Sequence, residues 1–248
     1  MIRTHVFEDY ESLSQAAAAW TAERLRRAPE AIVCLAAGAT PTRTYQLLAE
    51  RGAGDPSLFQ RRWLLKLDEW GGLPLDHPAT CDRQLRTLLV TPLGLEHRYV
   101  AFDSQPLDPQ AEVRRIAAWL ADHGPIGLCA LGLGVNGHLG FNEPASALQP
   151  HAHVAELSAE SLSHAMVRQC AAPPQFGLTL GMADLLQSHE VLLLASGAAK
   201  RAPLRRLLAG RLETQFPASL LHLHRSVTLL CDRQAWPAEE SPDASTGE

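Results

Sequence analysis

The chain has 248 residues, with 22 Lys+Arg against 27 Asp+Glu for a net charge of −5; 46% of residues are hydrophobic and 20% charged. That is the composition of a folded globular protein, and a pI near 6.1 with no basic block argues against duplex nucleic acid as a ligand. A small anion, which needs only a few local donors, remains open.

No apolar run approaches the roughly 18–20 residues of a membrane span. The opening MIRTHVFEDYESL puts acids where a signal peptide has its apolar region, so a cytoplasmic location is expected. Cys34, Cys81, Cys129, Cys170 and Cys231 are odd in number and widely spaced without C-x-x-C; they read as reduced thiols, mostly within apolar runs.

In chain order, the residues before 30 read as one strand and one helix. The helix, 11–27, places Leu13, Ala16, Ala17, Trp20 and Leu25 near one face. A buried strand follows at 31–37. A helix over 40–52 is expected to start with Thr40 as cap and Pro41 in first position, and to stop at Gly52. A second buried strand lies at 63–67. The helix at 110–124 carries Val113, Ile116, Ala117 and Leu120 at helical spacing and ends at Gly124. Three further buried strands cover 127–133, 191–196 and 227–232. Continuous apolar strands alternating with helices predict an α/β fold: a single-domain, open, mostly parallel sheet with helices on both faces, of a modified Rossmann-like kind. The domain spans 1–234, and 235–248 reads as a mobile tail.

In such sheets ligands bind beyond the C-terminal strand ends, and four strand exits carry reactive or anion-binding residue types. In LAAGATPTRTY, Gly38 allows a tight turn, and the amides around Ala39 and Thr40 at a helix start offer donors to an anion. In KLDEWGGLP, Asp68 and Glu69 are adjacent in an extended segment, so one can face a pocket while the other pairs elsewhere. LGLGVNGHLGFNEPAS contains Gly132, Gly134 and Gly137 as a literal G-x-G-x-x-G, but Pro144 follows instead of a long helix. It reads as a loop presenting Asn136, His138 and Glu143, not as a dinucleotide fingerprint. A carboxylate near a loop histidine can set its tautomer and stabilise the imidazolium. In ASGAAKRAPL, Lys200 can reach an anion held by the first loop. The pairs His151/His153 and His222/His224 lack a third ligand at metal spacing, so no metal is expected.

With these loops in this order, the sequence resembles the glucosamine-6-phosphate deaminase/isomerase group, which includes the 6-phosphogluconolactonases. The likeness runs from about residue 30 to 232. FNEP resembles the aminosugar-phosphate deaminase branch. AIVCLAAGATP, KLDEWGGLPL, NGHLGFNEP, SLSHAM, FGLTLGMADLL and FPASLLHLH look like the galactosamine-6-phosphate isomerase/deaminase subgroup. The resemblance implies that Asp68 moves a proton between C1 and C2 of the open-chain sugar. It implies that His138 assists ring opening with Glu143 as partner. It also implies that Gly38, Ala39, Thr40 and Lys200 hold the phosphate. Arg168 is the candidate nearby for the arginine that usually helps hold it. Asn136 stands where glucosamine-type enzymes usually have Asp, again like the galactosamine subgroup; Asn can orient the His138 ring by hydrogen bonding.

The implied reaction converts galactosamine 6-phosphate to tagatose 6-phosphate and ammonia, without cofactor. Glucosamine-6-phosphate deamination, 6-phosphogluconolactone hydrolysis and non-catalytic sugar-phosphate sensing are the alternatives. A homo-oligomer is compatible with the sequence. Residues 147–176, rich in His and Ser with Pro173-Pro174, are expected to act as a lid.

Overall fold

Strands covered on both faces have no solvent side on which to place polar residues, and the apolar runs become the middle of a parallel sheet. The computed structural model describes residues 2–237. Its strands are β1 (Arg3–Phe7), β2 (Ile32–Leu35), β3 (Leu64–Lys66), β4 (Asp68–Gly71), β5 (Tyr99–Val100), β6 (Ile126–Gly132), β7 (His153–Ala155), β8 (Phe176–Thr179), β9 (Glu190–Ala195) and β10 (Val227–Asp232). Its α-helices are α1 (Tyr10–Arg27), α2 (Ala39–Gly54), α3 (Cys81–Leu85), α4 (Pro109–His123), α5 (Ala159–Leu162), α6 (Met182–Leu186) and α7 (Arg201–Leu208).

Seven strands form one sheet in the order β1-β10-β9-β6-β2-β3-β5, and every pairing in it is parallel. Alternate residues of one strand serve two cores. Val33, Leu35, Leu128, Ala130, Leu192 and Leu194 pack with Leu13, Leu25, Tyr45 and Leu48 of α1 and α2. Cys34, Cys129, Leu131, Val191 and Leu193 face the other way, toward Ile116 of α4, Leu185 of α6 and Leu204 and Leu207 of α7. The five cysteines are free thiols, four of them buried and Cys170 partly so.

Two helix details differ from the expectation. The buried face of α1 includes Ser14, Ala18, Thr21 and Ala22, whereas Ala16 and Trp20 are only partly covered. Helix α2 starts at Ala39, not after a Thr40 cap, and runs past Gly52 to Gly54. Gly38, at φ 117°, supplies the turn itself, and Pro41 becomes the third helical residue, where its missing N–H still costs nothing.

A second, three-stranded sheet, β4-β8-β7, is antiparallel and was not expected. It continues directly from the main sheet. Leu67 is the corner: its amide donates to Leu35 O at 3.0 Å in the large sheet, and its carbonyl accepts from the Leu180 amide at 3.0 Å beside the small one. This corner brings Asp68 to the C-terminal edge of the main sheet. The order in which strands are added reverses between β2 and β6: β2 leads outward to β3 and β5, while β6 lies on its other side and leads to β9 and β10. The crevice beyond β2 and β6 is the place where such sheets bind ligands.

Of the segment read as a tail, Ala235 is fully buried in the core, and 238–248 lie outside the described residues. No helix among the described residues is long and apolar enough to cross a membrane.

Leu193 is fully buried within the sheet core, whereas Leu107 is fully exposed. Leu193→Ala is expected to lower the unfolding free energy by about 2–5 kcal/mol, and Leu107→Ala by less than about 0.5 kcal/mol, measured by urea denaturation.

Candidate active site

The floor of the crevice is set by charge. Lys66 and Glu69 are both fully buried and form an ion pair. Lys66 Nζ also donates to Phe102 O at 2.7 Å. Glu69 accepts the amides of Trp70, Cys81 and Asp82, each at 2.8 Å, and so closes the first turn of α3. Side chains alternate along β4, so burying Glu69 turns Asp68 toward the cavity, whose wall it forms. One carboxylate oxygen of Asp68, Oδ1, is buried without a hydrogen-bond partner. Burial first, and the Glu69 charge second, raise its pKa to about 7, while Lys66 pulls it down.

The loop after β6 carries the second group. Gly137, at φ 89°, turns the chain. The His138 ring lies against Gly134, where a Cβ would sit 2.4 Å from it, so that position accepts only glycine. His138 Nδ1 stands 3.4 Å from Glu143 Oε2. Asn136 Nδ2 donates to the same carboxylate at 3.0 Å, and Asn136 Oδ1 accepts the His138 amide at 3.1 Å. Asn136 thus fixes the loop backbone and the carboxylate; it does not bond the imidazole ring, as its sequence position had led one to expect. Ser161 Oγ donates to Glu143 as well, and the Ser158 amide approaches it at 3.5 Å. Burial alone would raise the Glu143 pKa, but His138, Ser161 and Asn136 outweigh it and bring the carboxyl down to about 2.

The third part lies at the start of α2. The Gly38 amide donates to Gln84 Oε1 at 2.8 Å, and Gln84 Nε2 donates back to Gly38 O at 2.9 Å, so Gly38 shapes the turn and its own donor is spent. The amides of Ala39 and Thr40 stand in the first turn, where a helix offers no internal acceptor. Lys200 lines the same cavity, in the short turn after β9. Asp232, buried at the end of β10, holds that turn by accepting the Ser196 hydroxyl and the Gly197 amide. Burial lowers the Lys200 pKa, and no carboxylate among the described residues pairs with it.

Asp68, His138, Gly38, Ala39, Thr40 and Lys200 therefore line one cavity of about 270 Å³, with Asn136 and Glu143 just behind His138. Arg168 is not brought to it. The residue is exposed, its amide bonds His164 O at 2.9 Å, and its side chain forms no part of the wall. The paired histidines serve structure instead. His151 meets Asp184 at 2.8 Å, His153 meets His151 O, His222 meets Leu207 O, and buried His224 meets Ser188 O. Ser158, Ser161, His164 and Asp232 are site residues to which the sequence assigned no role, although Ser161 and His164 lie in SLSHAM. The serines and His164 come from the segment expected to be a lid, which is laid across the loop containing Glu143.

A family model for glucosamine-6-phosphate isomerases/6-phosphogluconolactonase matches residues 8–230. A provisionally named deaminase, AgaI, of Escherichia coli (strain K12) is 40% identical over 224 residues, or 90% of this chain and 89% of its own. Glucosamine-6-phosphate deaminase 1 of Bacillus subtilis (strain 168) is 36% identical over 232 residues, or 92% and 96%. The solved structure of a monomeric glucosamine-6-phosphate deaminase superposes with a TM-score of 0.89 at 34% identity, over 94% of this chain and 98% of that one.

With a pKa near 7 in place of its ordinary 3.8, Asp68 binds more proton in the folded than in the unfolded chain between those values. Stability therefore falls as pH rises through that window. Asp68→Asn removes this penalty. The variant is expected to melt higher than the parent at pH 8, by a margin on the order of 1–3 kcal/mol that shrinks as pH drops toward 4. Thermal melts across this range check it; a margin independent of pH would show that the carboxyl is not raised.

Proposed function

The chain belongs to the glucosamine-6-phosphate isomerase/6-phosphogluconolactonase family, and we propose that it isomerises and deaminates an aminohexose 6-phosphate, with galactosamine 6-phosphate as its substrate. The observation that carries this reading is the unpaired oxygen of Asp68, whose carboxyl titrates near neutrality, in the same cavity as the His138–Glu143 pair. A base that must take a proton from carbon at neutral pH works best with a pKa near that pH.

The phosphate binds at the Ala39–Thr40 amides and Lys200, which fixes C1 and C2 above Asp68. His138, beside the Glu143 carboxylate, passes the proton of the C1 hydroxyl to the ring oxygen as the pyranose opens to the aldehyde. Asp68 takes the C2 proton while one proton of the substrate ammonium passes to the aldehyde oxygen, leaving an enolamine, and Asp68 then returns its proton to C1. C1 becomes CH₂OH and C2 an iminium. Water adds at C2 and ammonia leaves, giving the 2-ketose; for galactosamine 6-phosphate this is tagatose 6-phosphate. No electrons are gained or lost overall. The enzyme works in the cytoplasm on a free sugar phosphate.

Asn136 supports the galactosamine assignment through its likeness to that subgroup. Its physical effect is to leave Glu143 as the one carboxylate bonded beside His138, and to donate to it, which an ionised Asp cannot do.

Ammonia release from galactosamine 6-phosphate and glucosamine 6-phosphate tests the proposal. The expected result is turnover of both with at least about tenfold higher kcat/KM for the galactose epimer, a difference of about 1.4 kcal/mol in transition-state binding. A reversed preference would move the substrate to glucosamine 6-phosphate. Hydrolysis of 6-phosphogluconolactone with no ammonia from either aminosugar, or binding without any turnover, would overturn the reading.

A further inference from the structure

We propose that His164 is the second phosphate-holding side chain of this cavity, donating its Nε2 proton to the anion that the Lys200 ammonium also holds. The inference rests on the sugar-phosphate reading only in requiring an anionic group at that end. Arg168 does not line the cavity; His164, four residues earlier, does.

The geometry fixes what His164 can offer. Its Nδ1 accepts the Met166 amide at 3.3 Å, which places the proton of the neutral ring on Nε2. The ring is held beside Trp70, with centroids 6.1 Å apart and planes tilted by 33°. Partial burial, then the charges of His138 and Lys200, push its pKa below the ordinary imidazole range, so the ring is a neutral donor at pH 8. Neither His164 nor Lys200 has a carboxylate ion-pair partner among the described residues. Asp68 and Glu160 are the acids on the cavity wall, and neither bonds either of them. An ammonium, an Nε2–H donor and the first-turn amides of α2 line one cavity without an acceptor bonded to the first two. A tetrahedral oxyanion completes such a set.

A guanidinium would supply a charged fork; a neutral imidazole supplies one directional donor. In this cavity Lys200 is then the one full positive charge on the phosphate among the described lining residues, and affinity at pH 8 depends on a hydrogen bond at the Nε2 position.

The test is binding of inorganic phosphate at pH 8, where it is mainly the dianion, followed by calorimetry and by Trp fluorescence. His164→Ala is expected to weaken phosphate binding about tenfold. His164→Gln, whose amide nitrogen can occupy the Nε2 position, is expected to recover most of that loss. In turnover, His164→Ala should raise KM for the sugar phosphate by a similar factor while kcat changes less than about threefold. Unchanged phosphate affinity in His164→Ala, or His164→Gln binding as weakly as the alanine variant, would overturn the proposal. Phosphate binding does not depend on which sugar is turned over. A negative ammonia assay with a positive His164 result would reject the substrate reading and leave this site standing.

Discussion

Lys66 and Glu69 form an ion pair with no solvent contact directly under the reacting end of the cavity. Burying two charges costs several kcal/mol per ion, so such a pair persists only where further bonds offset the loss. Here Glu69 takes three backbone amides and Lys66 a carbonyl. The pair ties β3, β4 and the start of α3 together. Because neighbouring residues of a strand point opposite ways, it also decides that Asp68 faces the cavity. The Glu69 charge then helps hold the Asp68 proton near neutrality. One buried interaction thus sets where the base stands, while burial of Asp68 itself is the main cause of its raised pKa.

The site separates its two carboxyls by environment. Asp68 has a partnerless buried oxygen and titrates near 7, while Glu143 is surrounded by donors and lies near 2. At neutral pH the first can exchange a proton and the second remains an anion beside His138. Two acids with pKa values pushed apart can take different roles in one reaction. The same logic operates at the other end, where donors without acceptors surround the cavity. Asp232 matters there although it touches no ligand position, since its bonds to Ser196 and Gly197 fix the turn that carries Lys200.

Much of this was legible in the residues. Buried parallel strands read as unbroken apolar runs, so 31–37, 127–133, 191–196 and 227–232 located the middle of the sheet. The alternation rule applied to Asp68 and Glu69 anticipated one acid facing the cavity and one paired. The second sheet was not legible. Its strands are three or four residues long, too short for alternation to be read, and they pair across long stretches of chain, as Asp68 does with Thr179. The start of α2 was misplaced because Thr-Pro imitates a cap, whereas Gly38 makes the turn. Ser158 carries no signal of its own, and Ser161 and His164 lie in SLSHAM, a motif whose likeness names no role for either. They become site residues only because their segment is laid over the FNEP loop. Asp232 ends the apolar run VTLLCD, where an acid equally marks the stop of a strand.

The central claim is that Asp68 is the base that moves the C2 proton, and exchange of that proton with solvent tests it most directly. Galactosamine 6-phosphate is incubated in D₂O with the enzyme and with Asp68→Asn, and the C1 and C2 positions are followed by proton NMR. The account predicts deuterium at C1 of the ketose product and exchange at C2 with the parent enzyme. It predicts neither with Asp68→Asn, although the variant still binds inorganic phosphate. Exchange at C2 retained by Asp68→Asn would contradict it.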